Sequence, residues 1–135
     1  MNVDQAFEQL HEEAEETDSS VYYSKQLLNS LLKEKGEIKA VYQERTNDIN
    51  NFTIWCVTEK TIEKLIYKGL EVEVKTRFIQ DLRAVWKEYE LTTYGRDPKP
   101  KLKKIILYFS DGTDTICMPE GRKSIQRFNE LADVL

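Results

Sequence analysis

Apolar residues in the first 36 positions recur three or four residues apart, which is the interval of an amphipathic helix. Residues 3–17 form one such stretch, with acidic side chains on the opposite face. Residues 18–20, Asp-Ser-Ser, offer capping side chains for a second stretch, and Gly36 is placed to end it. The pattern predicts two short helices. Because isolated helices of this length are marginal in water, we expect both to pack on the rest of the chain through Phe7, Leu10, Leu28 and Leu32.

From residue 37 onward the apolar positions alternate with polar ones, which is the period of a β-strand. Turn signals rich in Gly, Asn, Asp and Pro separate the strand-like segments. These segments are residues 37–43, 52–57, 61–67, 70–79, 82–94, 102–109 and 113–118. The order predicts antiparallel sheet across residues 37–118.

The segment 61–67 fits two structures. Ile62, Leu65 and Ile66 also suit a short helix, for which Thr58 is a possible cap. We favour a strand, because the space between turn signals leaves room only for a short helix and because Ile and Tyr prefer strands.

The C-terminal segment returns to helical spacing. Pro119 and Gly121 interrupt the strand pattern, and Ile125, Phe128 and Leu131 then follow three residues apart. This predicts a helix over residues 121–134 that packs on the sheet through these three side chains. The predicted fold class is α+β.

Three local sequences resemble bacterial members of the pleckstrin-homology-like (PH-like) fold. They are Val57-Thr58-Glu59-Lys60, then Arg77-Phe78-Ile79-Gln80-Asp81-Leu82, then the last hairpin with Asp111-Gly112 ahead of a helix bearing Phe128 and Leu131. The resemblance covers residues 37–135 and implies a split barrel of seven antiparallel strands plugged by the C-terminal helix. The two N-terminal helices are an addition to that fold. Because PH-like folds host lipid, peptide and protein ligands, the resemblance does not determine a function.

Length and charge narrow the class of protein. The 135 residues suit one globular unit, with residues 1–36 as a helical segment packed on the body formed by residues 37–135. Residues 1–36 carry eight acidic residues and three lysines, a balance of −5, which leaves +1 for the rest of a chain whose net charge is −4. Specific nucleic-acid binding is not expected, because it requires a clustered positive field. No transmembrane segment or signal peptide is expected either, which favours a cytoplasmic protein.

Groups for catalysis or metal binding are sparse. His11 is the single histidine, which nearly removes histidine-based acid–base chemistry. His11 and Glu15 share a helix face, but two ligands do not make a zinc site, and a solvated face is the favoured interpretation. Cys56 and Cys117 lack Cys-x-x-Cys spacing, so we expect reduced thiols in the core. The sequence therefore predicts no enzyme activity, no metal and no cofactor.

Two groups of residues are candidate binding surfaces. The first is a basic cluster around a loop predicted at residues 95–100, formed by Arg96, Lys99, Lys101, Lys103 and Lys104. It favours either weak binding of anionic lipid or another polyanion, or lysines that keep a strand edge soluble, and solubilisation is the favoured role. The second is a possible protein interface formed by Glu12, Glu13, Glu15, Glu16, Tyr22 and Tyr23.

Acidic runs are usually solvated, but exposed aromatic residues are enriched in protein interfaces. Tyr89 and Tyr94 also lack clean apolar partners in the pattern. The leading hypothesis is a non-enzymatic protein-interaction module with an unidentified protein partner and an undetermined oligomeric state. The alternative is an acidic inhibitor of the immunity type that blocks a basic partner, and anionic lipid binding is a weaker alternative.

Overall fold

The computed structural model describes residues 1–13, 27–33, 35–45, 51–91, 100–119 and 122–135. Its helices are α1 (Val3–Glu13), α2 (residues 27–32) and α3 (Arg122–Val134). Its strands are β1 (Ile38–Arg45), β2 (Asn51–Thr58), β3 (Thr61–Lys68), β4 (Glu71–Phe78), β5 (Leu82–Leu91), β6 (Pro100–Phe109) and β7 (Gly112–Cys117). A single 3-10 turn, Ile79–Asp81, joins β4 to β5. The α+β class and the C-terminal helix are as predicted.

The strands form two antiparallel sheets. One has the order β1-β2-β3-β4 and the other β5-β6-β7. Within the described ranges no strand pairing joins the two sheets, so they do not form a closed barrel. The segment that fitted both structures is a strand, β3, because Thr58 closes a tight turn instead of capping a helix. The Thr58 hydroxyl accepts the backbone N–H of Thr61 at 3.0 Å.

The central strand β2 is buried on both faces. Phe52, Ile54 and Cys56 face the N-terminal helices, and Trp55 and Val57 face the second sheet. Successive side chains of a strand point to opposite faces, which gives this division. The four-stranded sheet is thus the middle of three layers, with helices on one side and the smaller sheet with α3 on the other.

The N-terminal helices pack on the four-stranded sheet, as expected. Phe7, Leu10, Leu28 and Leu32 are all buried in one cluster with residues of β1, β2 and β3. A polar contact fixes the end of this layer. Lys35 Nζ donates to the buried carboxylate of Glu63, which also accepts the Thr76 hydroxyl at 2.5 Å. Leaving that carboxylate buried without its cation would be destabilising.

The second core lies between the two sheets and is closed by α3. Phe128 and Leu131 are fully buried there, as the spacing predicted, whereas Ile125 is half-buried and is not among the residues of this cluster. The Phe128 ring lies 5.2 Å from the Tyr42 ring, in a tilted arrangement. The Tyr42 hydroxyl in turn donates to the backbone carbonyl of Cys117 at 2.7 Å. Tyr42 therefore connects α3, β1 and β7.

Element ends differ in places from the predictions. β5 is described from Leu82 to Leu91, and the expected extension to residue 94 lies outside the described part of the chain, as do all of residues 92–99. β6 begins at Pro100, inside the expected loop. Proline is tolerated at the first residue of a strand, because the ladder does not require its missing N–H there.

Candidate protein interaction surfaces

The basic cluster is divided by the structure. Arg96 and Lys99 lie outside the described residues, whereas Lys101, Lys103 and Lys104 lie on β6 and not in a loop. Lys103 Nζ is 3.0 Å from a carboxylate oxygen of Glu90, and Lys104 Nζ is 3.7 Å from one of Glu88. The two acidic residues of β5 thus offset two of the lysines. This pairing weakens the field that anion binding would need.

The predicted acidic and tyrosine surface is for the most part not described. Glu12 and Glu13 occupy the last turn of α1. Glu15, Glu16, Tyr22, Tyr23 and also Tyr94 lie outside the described residues. The acidic-inhibitor hypothesis rests on this group, so it stays a prediction.

The outer face of the three-stranded sheet carries an apolar patch. Trp86 is 59% exposed there, directly opposite Ile106 on β6, which lies opposite Thr115 on β7. The neighbouring row consists of Ala84, Tyr108 and Thr113. We call these six residues the Trp86 patch. The paired charges Glu88 and Lys104 form the next row and border it.

Sequence reasoning missed the Trp86 patch, because it named only basic residues, acidic residues and tyrosines as candidate surfaces. The signal was present in the alternation of β5. Val85 and Lys87 lie on the side of β5 that faces Leu107 and Ile105, which are core residues, so Trp86 must point outward. Because Lys87 occupies an inward position of β5, the sequence of this strand does not clearly indicate which face is buried.

The open edge of the four-stranded sheet is the second exposed apolar region. Four of the eight exposed large hydrophobic residues in the described chain lie on or next to β4. Val72, Val74 and Phe78 lie at even-numbered positions of β4 and therefore share one face, and the fourth residue is Leu70. Leu70 is fully exposed in the two-residue turn between β3 and β4. Gly69, with φ of 62°, gives that turn its left-handed residue.

Arg77 lies at the end of β4 between two carboxylates. Its Nε donates to Asp114 Oδ2 at 2.8 Å, a second N–H donates to Asp111, and its guanidinium lies 4.2 Å from the Phe109 ring centre. The hydrogen bond from Arg77 lowers the pKa of Asp111 below its usual range. Arg77 is therefore held by its own chain.

Beside Arg77 is a half-open cavity of about 250 Å³, lined by Thr76, Arg77, Phe78, Asp81, Phe109, Ser110 and Asp111. Small-molecule pockets run from roughly 300 to 1,000 Å³. A side chain of another protein matches this cavity better in size than a whole cofactor does.

The expectation that both cysteines are core thiols is wrong for Cys117. Cys56 is buried, and burial raises the pKa of its thiol to about 12. Cys117 is exposed, because its position opposite Lys104 puts it on the outer face of β7 while Ile116 faces the core. Burial raises the pKa of Cys117 as well, and the nearby Glu44 adds to the effect. Both shifts disfavour the reactive thiolate.

Glu44 accepts a backbone hydrogen bond from the free edge of β7. Its carboxylate accepts the backbone N–H of Cys117 at 2.7 Å, beside the Tyr42 hydroxyl that donates to the carbonyl of the same residue. Burial raises the pKa of Glu44, and the Cys117 hydrogen bond opposes part of that shift. These contacts occupy an edge that would otherwise present open backbone groups.

Among the described residues no group of three or more His, Cys, Asp and Glu side chains is placed to hold a metal ion. No helix in that part of the chain is long and apolar enough to cross a membrane.

Neither a family model, nor a curated protein, nor a solved structure matches the chain.

Proposed function

We propose that the chain is a non-enzymatic protein-interaction module and that the Trp86 patch is its contact surface for a different protein. The observation that carries this proposal is the 59% exposure of Trp86 beside Ile106 in its own row and Ala84 and Tyr108 in the neighbouring row. Scattered single apolar residues are normal on a protein surface, whereas contiguous apolar patches mark interaction sites. Tryptophan is among the residues most enriched in binding hot spots.

The shape of the patch indicates the kind of partner. The patch lies on a strand-paired face, so its backbone is fixed and little ordering is needed on binding. Its border row, Glu88 and Lys104, is charged and exposed. An apolar centre with a polar border is the usual anatomy of a protein interface. The partner would present an apolar side chain or groove to Trp86.

The fold supports a separate proposal, which concerns the fold family and not the ligand. Four plus three antiparallel strands followed by a helix that closes the inter-sheet core is the order expected of a PH-like split barrel. We propose that the protein is PH-like on this basis. The fold alone leaves the ligand open, so the Trp86 patch and not the fold argues for a protein partner.

The test compares two aromatic substitutions on one strand. Trp86→Ala removes the centre of the patch, and Tyr89→Ala removes an aromatic ring of similar exposure, 54%, from the opposite face of β5. Wild type and Tyr89→Ala should capture the same proteins from the native cell. Trp86→Ala should fail to capture them or bind them at least about tenfold more weakly, because truncating a hot spot costs about 2 kcal/mol or more. Equal capture by all three proteins would refute the proposal.

A further inference from the structure

β4 is an open edge with an unusual charge order. In the described part of the chain it pairs only with β3. Its sequence, Glu-Val-Glu-Val-Lys-Thr-Arg-Phe, places acidic residues in the first half and basic residues in the second. The acidic and basic positions lie at equal distances on either side of Val74. An antiparallel copy of this strand would therefore meet it with opposite charges.

The backbone direction along β4 is compatible with such a pairing. The N–H of Ile79 donates to the carbonyl of Lys60 at 2.9 Å, on the β3 side. Bonding direction alternates along an antiparallel strand, so odd-numbered residues direct their backbone groups to β3. Val72, Val74 and Thr76 direct theirs away from the sheet, where a further strand would meet them.

We propose that β4 pairs antiparallel with β4 of a second copy of this chain, with the two Val74 residues opposite each other. Glu73 then lies opposite Lys75 of the second copy, and two-fold symmetry repeats this pair. These positions are not hydrogen-bonded to each other, which is where opposing side chains come closest. The two four-stranded sheets become one continuous sheet.

The charges select this register over its neighbours. A shift by two residues in one direction places Glu73 opposite Glu73, and a shift in the other direction places Lys75 opposite Lys75. Like charges directly opposite each other are destabilising. A shift by one residue would put the valines on the charged face. Only the register centred on Val74 pairs every charge with its opposite.

The same register gives Lys75 an ion-pair partner. Lys75 lies opposite Lys64 on β3, which is a like-charge pair, and it makes no ion pair with another described residue. Glu73 has only an exposed, 3.7 Å contact with Lys68. Glu71 would come opposite Arg77 of the second copy, but Arg77 already binds Asp111 and Asp114. The Glu73–Lys75 pair therefore carries the proposal.

Self-pairing would also bring the exposed apolar side chains of β4 beside one another. Val74 meets Val74, and Leu70 of one copy comes opposite Phe78 of the other. Both Leu70 and Phe78 are among the most exposed apolar side chains described, at 105% and 52%. The exposed apolar positions and the charges thus indicate the same partner.

The edge strand β5 of the smaller sheet does not show this complementarity. Pairing two β5 strands about Trp86 places Glu88 opposite Ala84, and pairing them about Lys87 places two lysines opposite each other. Neither register brings opposite charges together directly. The inference therefore concerns β4 alone and is independent of the Trp86 patch.

The experiment uses charge exchange in the full chain, measured by sedimentation equilibrium at low salt over a concentration series reaching the millimolar range. Wild type should form a dimer. Glu73→Lys and Lys75→Glu should each weaken it by at least about tenfold, because each replaces two attractive pairs with two repulsive ones. Mixing the two variants should restore association as a heterodimer, and the double variant should form a homodimer again. Glu90→Lys, which changes an exposed glutamate on β5, is the matched control and should dimerise like wild type.

A monomeric wild type across the series would overturn the proposal. So would a dimer that Glu73→Lys leaves unchanged, or single variants that fail to associate when mixed. Glu73 and Lys75 are exposed, and circular dichroism of each variant should show the wild-type fold. None of these outcomes depends on Trp86. If the charge-exchange experiment fails, the proposed function is unaffected, and if the Trp86→Ala experiment fails, the inference about β4 is unaffected.

Discussion

Replacing Phe128 by alanine tests how α3 closes the core between the sheets. The ring is fully buried in a cluster that includes Tyr42 on β1 and Leu107 on β6. Removal of a buried phenylalanine costs about 3–5 kcal/mol, through lost transfer free energy and the cavity left behind. The tilted contact with Tyr42 is worth roughly a further 0.5–1.5 kcal/mol, which favours the upper part of that range.

The assay is urea unfolding followed by far-UV circular dichroism. Domains of this kind have total stabilities of about 5–15 kcal/mol, so the variant should remain folded but melt at a much lower urea concentration. Val134→Ala, an exposed change on the same helix, is the control and should stay within about 0.5 kcal/mol of wild type. A loss below about 1 kcal/mol for Phe128→Ala would show that α3 does not close this core.

Two further changes test polar contacts of the core. Lys35→Met should lower the free energy of unfolding by about 2–3 kcal/mol, because it leaves the buried Glu63 carboxylate without its cation. Lys39→Met, a change at an exposed lysine, is the control and should have little effect. Equal unfolding free energies for the two variants would contradict a stabilising Lys35–Glu63 contact. Glu44→Gln tests a pH dependence: burial raises the native pKa of Glu44, so its contribution is fully present below the usual glutamate pKa and is lost as the pH rises through the raised value. Relative to wild type, Glu44→Gln should therefore become more stable as the pH rises from about 4. The amide oxygen of the new side chain can still accept the Cys117 N–H. A difference in unfolding free energy between the two proteins that does not change with pH would refute this.

Sequence patterns predicted the layers well where one face of an element is apolar. The helix spacing of Phe7, Leu10, Leu28 and Leu32 was enough to predict a packed N-terminal layer. The spacing of Phe128 and Leu131 likewise predicted the side of α3 that closes the second core. Both succeed because burial of a continuous apolar face dominates the energy of these elements.

The ambiguity of β3 has a physical cause. Ile62 faces one core while Leu65 and Tyr67 face the other. A strand buried on both faces loses the simple alternation of polar and apolar residues and then resembles a short helix. The hydroxyl contacts of Thr58 resolve the ambiguity, but they appear only once the chain is folded.

The candidate surfaces could not be predicted as well, because they depend on pairing between distant strands. Lys103 and Lys104 looked like a free basic cluster until β5 brought Glu90 and Glu88 beside them. The charge order of β4 was visible in the sequence, but its meaning depends on β4 being the edge of the sheet. An edge position is a property of topology, which local patterns do not contain.

Amide hydrogen exchange along β4 tests most directly the claim that this open sheet edge pairs with a second copy of the chain. The amides of Val72, Val74 and Thr76 point away from β3, so within one copy they should exchange quickly. The account predicts that they become protected as wild-type concentration rises and that Glu73→Lys abolishes this concentration dependence. Exchange at these three amides that is equally fast at every concentration would contradict the account.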